Sequence, residues 1–137
     1  MRKVLLSLFW AVAMISQGQT ITKTITLKST DLGNQKLVAA VGNDTIYAMM
    51  IKTGNRYQKY LTVGLGEKKE AIRLLTFLYE TEVSKGDIID LENETHNLIT
   101  KNSLGGLLVY SEGRALSGQL RKPNIKGFIE AIHEFAQ

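Results

Sequence analysis

Two apolar runs, Thr45 to Thr53 and Arg56 to Leu65, flank Gly54-Asn55, and this pair constrains the fold more than any other part of the chain. Gly-Asn between such runs is a favoured two-residue hairpin loop, because glycine takes the positive φ that the turn needs. Such a loop fixes a register in which Lys52 faces Tyr57, Met50 faces Lys59, Ala48 faces Leu61 and Ile46 faces Val63. The opposite face then pairs Ile51 with Gln58, Met49 with Tyr60 and Tyr47 with Thr62. Both faces are substantially apolar, whereas an antiparallel sheet with one wet side alternates cleanly between apolar and polar. If Ile46, Ala48, Met50, Leu61 and Val63 face a helix, then Tyr47, Met49, Ile51 and Tyr60 point the other way. Tyrosine and methionine offer adaptable contact area, so these four are the candidate partner-binding residues. Full burial of that face within one chain removes the case for it.

Periodicity changes after the hairpin. From Glu67 to Val83 the spacing predicts a helix, with Glu67 and Glu70 in its first turns and Lys85-Gly86 closing it. Ala71, Leu74, Leu75 and Leu78 form its central stripe, and Ile72, Phe77 and Tyr79 widen it. A helix resting on one sheet needs a narrower stripe, so a second covering side is expected. A last helix follows Pro123, with Asn124 as N-cap and Ile125, Phe128, Ile129, Ile132 and Ala136 on one face, extended by Phe135.

The remaining segments predict strands. Ile21 to Lys28 alternates, with Ile21, Ile25 and Leu27 on one face and threonines on the other. Ser29 to Asn34 is turn chemistry, and Lys36 to Val41 leans to strand before the Gly42-Asn43-Asp44 turn. Asp87 to Leu91, Asn97 to Ser103, Leu107 to Tyr110 and Arg114 to Leu120 complete the set. The fold class expected is α+β: a mostly antiparallel β-sheet of about six to eight strands with two helices, in the order strands–helix–strands–helix.

The N-terminus has the order of an export signal. Met1-Arg2-Lys3 is a positive start, Val4 to Ile15 is nearly unbroken apolar sequence, and Ser16-Gln17-Gly18 supplies small residues for cleavage before Gln19. A cut after Ala11-Val12-Ala13 is the alternative, and it shortens the apolar stretch. That stretch is too short for a membrane-spanning helix. Residues 1–18 are therefore expected to be a cleavable signal peptide, with 19–137 forming one small domain in the periplasm or outside the cell. Of the chain's 17 basic residues, Arg2 and Lys3 leave with the signal, so 15 remain against 13 acidic ones. Such a near-neutral chain gives no reason to expect nucleic acid as a partner. Zero cysteines exclude thiol chemistry, lipidation at cysteine and a disulfide-stapled scaffold.

No motif asserts a cofactor or a reaction. Gly64-x-Gly66 lies between a strand and a helix, but Lys69 replaces the third glycine of a dinucleotide fingerprint, and the strand belongs to an antiparallel hairpin. Gly66 is expected to cap the helix and Gly64 to relieve a bend. Asp87, Asp90, Glu92 and Glu94 with His96 lack the calcium-loop pattern. No elbow motif surrounds Ser103, Ser111 or Ser117, and no His-Glu-x-x-His involves His96 or His133. Arg114, Arg121, Lys122 and Lys126 gather near the last helix start, where a solvated basic face is favoured over an anion site. Asn43-Asp44-Thr45 and Asn93-Glu94-Thr95 match a glycosylation sequon by a pattern short enough to arise by chance.

The function expected is an exported, non-enzymatic binding domain for a protein or an apolar ligand, with no cofactor and no metal. Two alternatives are a small hydrolase centred on His96 or His133, and a self-associating structural subunit using the same hairpin face.

Overall fold

A computed structural model of the chain describes residues 21–103 and 105–135. The expected signal segment, its cleavage site and Ala136 lie outside the described residues. The elements are β1 (Ile21–Thr30), a 3-10 turn (Asp31–Gly33), β2 (Gln35–Gly42), β3 (Thr45–Lys52), β4 (Tyr60–Gly66) and α1 (Lys68–Glu80). They continue with β5 (Ile88–Asp90), β6 (Leu98–Lys101), β7 (Leu107–Tyr110), a 3-10 turn (Glu112–Arg114), β8 (Ser117–Leu120) and α2 (Lys122–Glu134). The fold is α+β with the expected element order. Among the described residues, eight strands divide into two antiparallel sheets of four, ordered β1-β2-β3-β4 and β5-β6-β7-β8.

Both helices bury the stripes that their spacing predicts. In α1 these are Ala71, Leu74, Leu75 and Leu78, and in α2 they are Ile125, Phe128 and Ile132. Sheet residues Leu37, Ala39, Tyr47, Met49, Ile51, Leu61, Val63 and Leu65 meet them, and Ile99, Leu107, Val109 and Leu120 of the second sheet complete the same core. The second covering side expected for α1 is α2, which packs on it as closely as the sheet does. Phe77 and Tyr79, expected to widen the buried stripe, instead remain 40% exposed.

Two helix ends differ from expectation. α1 stops at Glu80, because Thr81 turns extended and its carbonyl receives the Lys122 ammonium, 2.5 Å away. Gly86 takes its positive φ in a later turn instead of closing the helix. α2 begins at Lys122, ahead of Asn124, with Pro123 in the first turn where a missing N–H costs nothing. The Asn124 amide does not cap; its Nδ2 donates to Gln35 Oε1, 2.7 Å away. Gln35 in turn donates to the Gln119 carbonyl, so this buried residue joins α2, β2 and β8.

The sheets meet at a glycine. A β-carbon on Gly118 of β8 would lie 2.6 Å from Ile51 Cγ2 and 2.6 Å from the Lys52 carbonyl oxygen. Only a residue without a side chain lets β8 approach β3 this closely.

Candidate functional site

The hairpin forms, but not in the register of a two-residue loop. Gly54 does take a positive φ of 82°. However, the connection runs from Thr53 to Lys59, closed by the Thr53 N–H donating to the Lys59 carbonyl at 2.8 Å. Asn55 organises it: its Oδ1 accepts from the backbone N–H of Tyr57 (2.7 Å) and of Gln58 (3.0 Å). The Thr53 hydroxyl accepts from Asn55 N–H and donates to the Gln58 carbonyl. Side-chain oxygens thus replace the backbone bonds of a tight turn.

The consequence is a slip of the whole return strand. Ala48 lies opposite Gly64 instead of Leu61, and Met49 opposite Val63 instead of Tyr60. An odd slip exchanges the faces of one strand relative to the other. Leu61 and Val63 therefore join Tyr47, Met49 and Ile51 in the main core. Tyr60 goes to the opposite face, beside a smaller cluster of Val38, Ala40, Ala48 and Met50.

The four expected contact residues thus do not form one surface. Tyr47, Met49 and Ile51 are buried in the main core, and only Tyr60 is partly exposed. The Tyr47 ring meets Phe135 of the α2 terminus edge to face, with centroids 6.5 Å apart and planes at 86°. Its hydroxyl is buried without a hydrogen-bond partner among the described residues, and desolvation raises its pKa above the usual 10.0.

The two most exposed large apolar side chains among the described residues lie elsewhere, at the sheet end where the β1–β2 and β3–β4 connections emerge. Leu32 is fully exposed, at 104%, and Tyr57 is 87% exposed. Leu32 also holds a left-handed backbone, φ 59° and ψ 33°, where a glycine or asparagine is the usual occupant. These loops are fastened to one another. The Tyr60 hydroxyl donates to the Gly33 carbonyl at 2.7 Å, and the Lys52 N–H donates to the Asn34 carbonyl at 2.7 Å. The Lys36 ammonium lies 4.9 Å from the Tyr60 ring centroid, and the Arg56 guanidinium 5.4 Å from that of Tyr57. The sequence held one sign of Leu32, an apolar residue inside the turn chemistry of Ser29 to Asn34. Tyr57 was concealed by its assignment to the return strand.

The other constellations have structural explanations. Gly64 admits the 93–95 loop, since a β-carbon there would touch Thr95 and Glu94 side chains at 3.4 and 3.5 Å. Thr95 Oγ1 accepts from Gly64 N–H (2.8 Å), Asn93 Nδ2 donates to Gly64 O (3.0 Å), and Asn97 Nδ2 donates to Thr62 O (3.2 Å). These bonds satisfy the free edge of β4, which would otherwise present unpaired backbone groups. The Asn93 amide of the sequon is thereby occupied.

Asp87, Asp90, Glu92, Glu94 and His96 do not converge, and no group of His, Asp or Glu among the described residues is placed to hold a metal ion. The Asp90 carboxylate instead accepts from the Glu92 N–H at 2.8 Å. His96 and His133 are both exposed, and neither side chain bonds a serine or carboxylate among the described residues. Of the basic group, Lys122 closes α1, and Arg114 stacks 5.0 Å from the Tyr110 ring centroid. No helix among the described residues is long and apolar enough to cross a membrane. No family model, curated protein or solved structure matches the chain.

Proposed function

We propose that the chain is an exported, non-enzymatic binding domain that makes contact through the end of its first sheet, where Leu32 and Tyr57 project. The observation that carries this reading is their near-complete exposure on connections held firm by hydrogen bonds. An exposed leucine in a left-handed backbone contributes nothing to the core and carries local strain, which supports a use outside the fold. Export rests on the order of charged, apolar and small residues in 1–18.

The hairpin remains the contact element of this reading, but its loop replaces its face. Tyr47, Met49 and Ile51 serve as the support behind the loops, and Tyr60 is the strut between them. No specific observation favours the hydrolase alternative, because neither histidine meets a nucleophile or carboxylate among the described residues.

Affinity capture from envelope and extracellular fractions tests the reading. The chain beginning at Gln19 is compared with its Leu32→Asn, Tyr57→Ser double variant, and the mass of each is measured in solution. A component retained by the first and lost by the second supports loop-mediated binding. Equal retention by both shows that the loops are not the contact. Concentration-dependent mass abolished by the double substitution would identify the partner as a second copy of the chain.

A further inference from the structure

We infer that the surface recognised by this loop end is an anionic phospholipid bilayer, into which Leu32 and Tyr57 insert while the surrounding cations bind headgroup phosphates. This inference rests on the loop-end reading above and names its partner. Segments 29–36 and 52–60, which form that end, contain Lys36, Lys52, Arg56 and Lys59, with Asp31 as their only carboxylate. Lys52, Arg56 and Lys59 are exposed and Lys36 is half-exposed. The only ion pair among the described residues is Arg73–Glu70, on α1, so no described carboxylate neutralises these cations. The charge is therefore available to an outside anion.

The kinds of side chain and their order along the loops favour a lipid surface over a protein. A stable protein contact needs a broad, complementary patch, on the order of 800 Å² per partner. Here two apolar side chains stand singly on neighbouring loops, each beside long, flexible cations. A bilayer accommodates that arrangement because its headgroups move to meet each charge. Leucine suits the acyl boundary, tyrosine suits the headgroup level, and lysine or arginine can reach phosphate while its stem stays apolar. The Arg56 guanidinium over the Tyr57 ring places cation and aromatic at the same tip. The two loops are also fixed to one another through Tyr60 and Lys52, so they would engage a surface as one unit.

The test is sedimentation of the chain beginning at Gln19 with vesicles of phosphatidylcholine plus phosphatidylglycerol, and with phosphatidylcholine alone. Binding to the anionic vesicles that weakens with added salt is expected, with little binding to the neutral ones. Leu32→Asn, which keeps a residue tolerant of the left-handed backbone, is expected to weaken anionic binding by about tenfold. Changing Lys52, Arg56 and Lys59 together to Gln is expected to weaken it by about a hundredfold, since each charge near such a surface contributes about fivefold. Both variants should melt no lower than the parent, because these side chains are exposed and asparagine relieves the left-handed strain at position 32.

Absence of binding to anionic vesicles overturns the inference, as does equal binding to neutral vesicles or binding indifferent to both variants. Sedimentation that dextran sulfate matches and Leu32→Asn leaves unchanged would identify a general polyanion site, and it too overturns insertion. If vesicles fail while loop-dependent capture of a protein succeeds, only the lipid assignment falls. If both fail, the loop-end reading falls with it.

Discussion

The Tyr60 hydroxyl at the start of β4 donates to the carbonyl oxygen of Gly33, 2.7 Å away in the β1–β2 turn. The bond reaches over β3 and holds two connections as one unit. Tyr60→Phe keeps the ring beneath Lys36 and removes only the donor. It should cost about 1 kcal/mol by denaturant melting. Faster amide exchange at residues 31–34 is the accompanying sign, and unchanged exchange there would show that the turn is held by other means.

Tyr47 places a hydroxyl in the core with no described partner. Tyr47→Phe removes that buried polar atom while keeping the ring against Phe135, so stability should stay level or rise by about 1 kcal/mol. Tyr47→Ala should lose about 3–5 kcal/mol, as for other large-to-small core changes.

The same side chain gives a pH signature. Burial raises the Tyr47 pKa above its usual 10.0, so the folded state retains the phenolic proton where the unfolded chain releases it. Its contribution is complete below the unfolded value and is lost as pH rises through the folded one. Melting temperature should therefore fall above a pH of about 10, more steeply than in Tyr47→Phe. Parallel declines in the two proteins would show that Tyr47 does not titrate differently on folding.

Asn97 is buried and uses all its side-chain bonding capacity. Its Nδ2 donates to Thr62 O (3.2 Å) and Tyr110 O (3.0 Å). Its Oδ1 accepts from Asn93 Nδ2 (2.9 Å) and the Thr95 hydroxyl (2.5 Å). Asn97→Ala removes a donor from the half-buried Thr62 and Tyr110 carbonyls, one in each sheet, and should cost about 3 kcal/mol in chemical denaturation. His96→Gly is the neighbouring control. His96 has φ 51° and an exposed ring, so glycine there should change stability by less than about 1 kcal/mol.

Gly118→Ala tests the meeting of the sheets. The added methyl would sit 2.6 Å from Ile51 Cγ2 and from the Lys52 carbonyl, and the backbone contact cannot rotate away. A loss of about 1–3 kcal/mol is expected in thermal or denaturant melts. A neutral result would mean that β8 and β3 separate easily.

How far the sequence foretold this structure depends on the distance over which each signal acts. The buried faces of α1 and α2 were legible because residues three and four apart share a helix face whatever the rest of the chain does. Leu107 to Tyr110 was legible as a strand to the residue. Helix ends were less so. Lys122 caps Thr81 across 41 positions in sequence, and nothing near Thr81 announces it. The division of eight strands between two sheets was likewise hidden, because the close approach at Gly118 needs Ile51 and Lys52, which lie far away in sequence.

The candidate site was legible in one respect and concealed in another. The hairpin between Thr45 and Leu65 was identified, and both faces of β3 are apolar as expected. Its register was not identified, because Gly54-Asn55 offers a tight turn while Asn55 Oδ1 instead binds the Tyr57 and Gln58 amides. That local choice moved Tyr60 away from Tyr47, Met49 and Ile51, and it placed Tyr57 on a loop tip.

The amino-acid sequence by itself determined the α+β class, the order of strands and helices, and the residues that each helix buries. Those follow from periodicity, which is set by backbone geometry within a few residues. The tertiary structure alone decided which strands share a sheet, which face of β3 meets the helices, and that Leu32 and Tyr57 are each exposed on connections at one end of the first sheet. Strand pairing has a period of two, so a slip of three residues from Leu61 to Gly64 opposite Ala48 exchanged the face of β3 that shares the core with Leu61 and Val63. Competing loop closures select that slip, and only the assembled sheet and its helices make one closure the more stable.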